Sequence, residues 1–311
     1  MEINTDNLSK NELEDALEQI RQINKNTKVN VLIVGGTGVG KSSTINALFN
    51  IDDAKVGQSA RPETNSIYHY SDPEKHIVIW DTPGLGDNQE KDEHYKQLIT
   101  RKLNEKDSNE QFLIDLVLLI LDGSSRDYSS AYTLLREVIV PNLNSETGER
   151  LLVAINQADM AMKGRYWDRE NNCPMPELAN FLDEKILSTK ERIFHETGLD
   201  IEPIYYSAGY KDGANEQKPY NLNALLNYIL RKLPNKKRIA IFSDRNSNEA
   251  NFKHNDNKEN YQKKNERMIW ESIKNFLIDS SGKILSVAKE EFMTPENIIK
   301  ALKFIVSLIK K

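Results

Sequence analysis

Gly35-Gly36-Thr37-Gly38-Val39-Gly40-Lys41-Ser42 fits the pattern G-x-x-x-x-G-K-[ST]. The β-branched run Val29 to Val34 leads into it, and a segment with Ile45, Leu48 and Phe49 on one helical face leaves it. A strand, a glycine-rich turn and a helix in that order make a phosphate cradle. Glycines let successive main-chain N–H groups converge on phosphate oxygens, and the helix adds its positive end. Lys41 then reaches the outer phosphates, and the Ser42 hydroxyl can ligate Mg2+.

Outward from this loop, short apolar runs alternate with amphipathic segments. Strands are expected at 29–34, 67–70, 77–80, 113–121, 151–155 and 201–206. Helices are expected near 41–50, 130–140, 177–196 and 222–233. That alternation predicts an α/β fold with a doubly wound, mainly parallel six-stranded sheet and helices on both faces. The run Leu113 to Leu121 is apolar nearly throughout, as a strand covered on both sides should be.

Four segments are expected. Residues 1–27 carry a helix over 8–24, opened by a capping box at Ser9 and Glu12. Residues 28–235 form the nucleotide domain. Residues 236–265 read as a polar linker, because 245–267 hold Asn, Lys, Glu and Asp with almost nothing apolar. Residues 266–311 form a helical extension whose last helix opens at Thr294-Pro295-Glu296. Met160 to Pro176 is an insertion, with a lid and a surface excursion both open.

The 311 residues include 42 Lys+Arg and 47 Asp+Glu, a net charge of -5 that argues against a DNA partner. The one cysteine, Cys173, excludes an internal disulfide framework and a cysteine-built zinc site. No stretch reaches the ~18 apolar residues of a membrane span, and the first residues lack a signal peptide's pattern. The expected setting is cytoplasmic. Lys300, Lys303, Lys310 and Lys311 against Glu296 leave peripheral contact with the inner membrane face open, through 295–311.

Three further segments stand at the ends of expected strands, where ligands bind in such sheets. They are Asp81-Thr82-Pro83-Gly84, Asn156-Gln157-Ala158-Asp159 and Ser207-Ala208-Gly209. Together with GGTGVGKSST and a loop threonine, Thr64, they occur in the order of the TRAFAC-class P-loop GTPases. Residues 28–235 resemble the Era-like bacterial members. The resemblance implies GTP/GDP and Mg2+ as ligands. It places the phosphates at Gly36, Thr37, Gly38, Val39, Gly40, Lys41, Ser42 and Ser43. Metal contacts fall to Ser42, Thr64 and, through water, Asp81, with Ser59 and Ser66 as alternatives to Thr64. The Gly84 N–H meets the γ-phosphate. Asp159 accepts from guanine N1 and N2, Asn156 and Gln157 complete the base site, and Ser207 and Ala208 close it, with the Ala208 N–H on O6.

The departures from that pattern shape the expected chemistry. Gln157 replaces a lysine whose stem covers the base. Leu85 replaces the glutamine that orients water in Ras-type enzymes, so hydrolysis should be slow. Gly38 stands where some relatives hold potassium with an asparagine. Arg61, three residues before Thr64, is a candidate built-in arginine finger, and Asp87 and His94 are alternative water-positioning groups. The expectation is a guanine-nucleotide switch with slow hydrolysis. The competing classes are a membrane-associated, self-assembling GTPase of immunity-related or dynamin type and a non-hydrolysing scaffold. An unknown protein or ribosomal effector is the expected partner, with a dimer contact left open.

Overall fold

The computed structural model describes residues 27–51, 67–82, 89–145, 147–212 and 215–281. The expectations at helix 8–24, Ser59, Arg61, Thr64, Ser66, Gly84, Leu85, Asp87 and 295–311 lie outside these residues.

The main sheet holds β1 (Val29–Gly35), β2 (Tyr68–Ser71), β3 (Ile77–Asp81), β4 (Leu116–Asp122), β5 (Leu151–Asn156) and β6 (Ile204–Tyr205). Their spatial order is β2-β3-β1-β4-β5-β6, all parallel except β2, which runs antiparallel to β3. The fold is the expected α/β class. Helix α1 (Lys41–Phe49) follows the glycine-rich loop; α2 (Gln89–Asn104), α3 (Ser129–Leu134), α4 (Pro176–Thr197), α5 (Leu222–Lys232), α6 (Asn235–Ser243) and α7 (Tyr261–Ser281) follow in turn.

The continuous apolar runs are explained by burial on both faces of the sheet. Val29, Val31, Ile33, Leu116, Leu118, Ile120, Leu152 and Ala154 face a core shared with α1, α5, α6 and α7. Leu32, Val34, Val117, Leu119, Leu121, Leu151, Val153 and Ile155 face the opposite core, with α2, α3 and α4. Alternate residues of one strand therefore serve different cores, and neither side is left polar.

Three differences from the sequence reading have physical causes. The expected strand 201–206 contracts to Ile204–Tyr205, because Pro203 has no N–H to give and β6 pairs on one side only. Helix α2, absent from the reading, buries Tyr95, Ile99 and Leu103 at four-residue spacing within a strongly charged sequence. Residues 236–265, expected as a polar linker, instead hold α6, a 3-10 turn at Glu249–Phe252 and the start of α7. Ile239, Ala240, Ile241 and Phe252 are buried there. The polar composition is absorbed because buried amides bond to one another and to helix ends. Asn227 Nδ2 donates to Asn265 Oδ1 at 2.8 Å, Asn265 Nδ2 to the Asn223 carbonyl at 3.1 Å, and Asn223 Nδ2 to the Phe252 carbonyl at 2.8 Å.

Candidate functional site

The site gathers at the carboxyl ends of β1, β3, β5 and β6. Between β1 and α1 the chain turns at Gly38 (φ 76°) and Gly40 (φ 86°). A Cβ at Gly40 would collide with Asn156 Nδ2, so only glycine fits there. Lys41 Nζ lies back over the loop and donates to the carbonyls of Gly35 (3.2 Å) and Gly36 (3.1 Å). Thr37 and Gly38 are exposed at the rim, Gly36, Gly40, Ser42 and Ser43 are half-buried, and Val39 is buried beneath.

The segment after β5 grips this loop from the side. Asn156 Nδ2 donates to the Val39 carbonyl at 2.8 Å, and Asn156 Oδ1 accepts the Ala208 N–H at 2.9 Å. Gln157 Nε2 donates to the Gly38 carbonyl at 2.8 Å from a left-handed backbone position. One dipeptide thus joins the phosphate loop to the loop after β6, 117 and 52 residues away in sequence for Asn156.

Asp159 is buried, and its Oδ1 accepts from Ser207 Oγ at 2.6 Å. Burial raises its carboxyl above the ordinary range, and the Ser207 hydrogen bond opposes that shift. This is a carboxylate poised to gain from external donors. Ser207 bonds Asp159, and the next residue, Ala208, gives its N–H to Asn156 Oδ1, so the loops after β5 and β6 are tied at two adjacent residues.

Asp81 ends β3. Burial pushes its carboxyl up to about 6, against the pull of Lys41. Its Oδ1 is buried with no hydrogen-bond partner among the described residues. A buried oxygen in that state is costly unless a cation, or a water held by one, comes to it. The donor set of Asp81 and the Ser42 hydroxyl suits Mg2+, a hard ion that keeps several waters.

Two supporting features escaped the sequence reading. Tyr206 is fully buried, and its hydroxyl lies 2.6 Å from Thr44 Oγ1. Thr44 Oγ1 itself donates to the Gly40 carbonyl at 2.8 Å, so Tyr206 is the donor in the pair. Gly123, just past β4, donates its N–H to the Asn156 carbonyl at 2.7 Å. A Cβ there would lie 2.6 Å from that oxygen. Its signal in the sequence was only a glycine at the end of an apolar run. The 160–176 insertion is a turn and a short hairpin, Trp167–Asp168 with Cys173–Pro174, braced by Asn172 on the carbonyls of Lys218 and Pro219.

The model of the family described as 50S ribosome-binding GTPase matches residues 30–157. That stretch carries the phosphate loop, Asp81, Asn156 and Gln157. Residues 30–157 belong to the TRAFAC-class P-loop GTPases. The chain is 30% identical over 190 residues to the tRNA modification GTPase MnmE of Sulfurovum sp., covering 60% of this chain and 39% of MnmE. It is 29% identical over 149 residues to the uncharacterized protein YkfA of Escherichia coli, covering 48% of this chain and 47% of YkfA. The chain therefore spans less than half the length of these curated relatives. Among solved structures, Aquifex aeolicus Era bound to GDP and AlF4- is 23% identical, with 67% of this chain and 58% of that chain covered and a TM-score of 0.38.

Proposed function

We propose that the chain is a guanine-nucleotide switch that binds GTP and GDP with Mg2+ and hydrolyses GTP slowly. The observation that carries this reading is the buried Asp159 carboxylate, bonded to Ser207 in a loop that Asn156 ties, through Ala208, to the glycine-rich loop. Guanine offers N1–H and N2–H to a carboxylate and O6 to an N–H. Adenine offers neither donor, and a desolvated carboxylate left unpaired costs several kcal/mol.

In this reading main-chain N–H groups from Gly36 to Ser43 hold the α- and β-phosphates. Lys41 exchanges the carbonyls of Gly35 and Gly36 for the β- and γ-phosphates. Ser42, Asp81 through water, and Thr64 would hold Mg2+, which when bound neutralises charge on the phosphate oxygens. The Gly84 N–H would meet the γ-phosphate, and Arg61 is the candidate arginine finger. The β–γ bond then breaks by positioning and electrostatics. Leu85 supplies no hydrogen bond to water, which supports a slow rate and keeps a non-hydrolysing scaffold as the second reading.

The deciding measurement is the affinity ratio for GDP over ADP. A ratio above about 100 is expected, and a ratio near one rejects the guanine assignment. Single-turnover phosphate release then separates slow hydrolysis from none. The effector, whether a protein, a ribosome or a second copy, is addressed by what co-purifies with the GTP-locked form. No described helix is long and apolar enough to cross a membrane. Liposome pelleting with and without residues 266–311 tests the peripheral contact.

A further inference from the structure

The phosphate-binding ends of α1 and β3 are exposed to the site, but their opposite ends meet a single short strap. Asp244 Oδ2 accepts the N–H of His76 at 2.5 Å and of Ile77 at 2.7 Å, where β3 begins. Two residues on, Asn246 holds the end of α1. Its N–H donates to the Leu48 carbonyl at 2.7 Å, and its Nδ2 donates to the carbonyls of Asn46 and Ala47, each at 3.2 Å. Asn251 Nδ2 adds a bond to the Ala47 carbonyl at 3.2 Å. Asp244 and Asn246 are both buried.

Helices and strands transmit displacement along their axes as stiff bodies. The far end of α1 carries Lys41 and Ser42, and the far end of β3 carries Asp81. Helix α1 has nine residues and spans roughly 13 Å; β3 has five and spans roughly 17 Å. A strap that fixes both tails within three consecutive residues therefore sets how far the Mg2+-side carboxylate stands from the phosphate loop. The same strap continues through the Glu249–Phe252 turn into α7, which packs on α5 and α6.

We propose that Asp244 and Asn246 are positioning residues of the nucleotide site, setting the spacing between the α1 cradle and the β3 carboxylate and linking that spacing to α7. This rests on the nucleotide-switch reading above. The spacing matters most when Ser42 and Asp81 must act together on Mg2+ beside a γ-phosphate, and least for GDP held by the loop alone. Coupling is reciprocal, so a bound Mg2+–triphosphate should in turn steady the strap.

The test uses the full chain and the variants N246A and D244N, with N248A, whose side chain bonds only the Ala250 N–H of the following turn and whose main-chain bond to Asn246 is kept, as the control expected to match wild type. Mg2+–GTPγS affinity should fall about 5- to 10-fold in N246A and D244N, while Mg2+-free GDP affinity falls no more than about twofold. Amide exchange over 244–252 should slow in wild type when Mg2+–GTPγS binds. If N246A does not fold, N251A gives the milder perturbation and should show the same ordering. Variants with a lower melting temperature but unchanged nucleotide affinities, equal weakening of both nucleotides, or exchange indifferent to GTPγS would each overturn the proposal. Wild-type protein that binds neither nucleotide would overturn the switch reading and this proposal together; normal wild-type binding with unaltered variants would overturn this proposal alone.

Discussion

The side-chain amide of Gln157 donates to the carbonyl oxygen of Gly38 at 2.8 Å, across 119 residues of sequence. The loop after β5 and the glycine-rich loop are therefore one hydrogen-bonded unit, reinforced by Asn156 on the next carbonyl, Val39. Removing the donor in Q157L should weaken GDP binding about 2- to 10-fold, the range of one exposed hydrogen bond. Q157K, which restores a donor and adds a charge, should bind at least as tightly as wild type. Isothermal titration with GDP decides both, and an unaltered Q157L would show the contact to be idle.

Asp159 predicts the pH dependence of base recognition. Burial raises its folded-state pKa above the ordinary 3.8. The ionised form is the one that accepts guanine's N1–H and N2–H, so GDP affinity is full above the raised pKa and is lost as pH falls through it. In the nucleotide-free protein the sign is opposite. A buried group with a raised pKa favours the folded state below 3.8, and that advantage is lost as pH rises through the raised value. The wild-type GDP affinity profile should bend at higher pH than an ordinary carboxylate would. The D159N profile, which shares the phosphate titrations, should lack that bend.

Leu85 and Arg61 put the proposed hydrolysis to the test. L85Q supplies an amide to orient water and should raise the single-turnover rate of GTP cleavage by about tenfold or more. R61A should lower it by about 10³ if the guanidinium meets the transferred phosphoryl group. A rate unchanged in R61A at saturating GTP assigns Arg61 to the loop surface.

Tyr206 and Thr44 predict a stability effect beneath the glycine-rich loop. Y206F removes the donor to Thr44 Oγ1 in a fully buried setting while Thr44 keeps its bond to the Gly40 carbonyl. The expected loss is about 1 kcal/mol, or roughly 2–4 °C in melting temperature for a unit of this size. Calorimetry on the nucleotide-free protein reads it directly.

Truncation separates a linker from a structural strap. A chain ending at 235 uncovers apolar surface that Ile239, Ala240, Ile241, Phe252, Ile269 and Ile273 bury. Each large side chain among them is worth about 1.5–3 kcal/mol of burial. That chain should be poorly soluble or melt far below one ending at 281. Equal melting temperatures would make 236–281 an appendage.

Much of the sheet was legible because its evidence is local. Leu116 to Leu121 and Leu151 to Ile155 are unbroken apolar runs, Val29 to Val34 is broken only by Asn30, and burial on both faces accounts for all three. The glycine-rich loop was legible for the same reason, since its strand and helix adjoin it. Helix α2 was not, because three buried residues carry it among charged neighbours. The strap at 244–252 was least legible of all. Asparagine and aspartate in a row read as solvated chain until their partners are known.

From the order of residues alone came the glycine-rich loop between strand and helix and the mainly parallel sheet, both consequences of short-range pattern, while the role expected of Asp159 came from the resemblance of its motif. Only the tertiary structure decided that Gln157 reaches Gly38, that Asp81 presents a buried oxygen without a hydrogen-bond partner among the described residues, and that Asp244 and Asn246 tie down the far ends of β3 and α1. The reason is physical. A polar side chain's meaning lies in the donor or acceptor opposite it, and that partner can stand two hundred residues away.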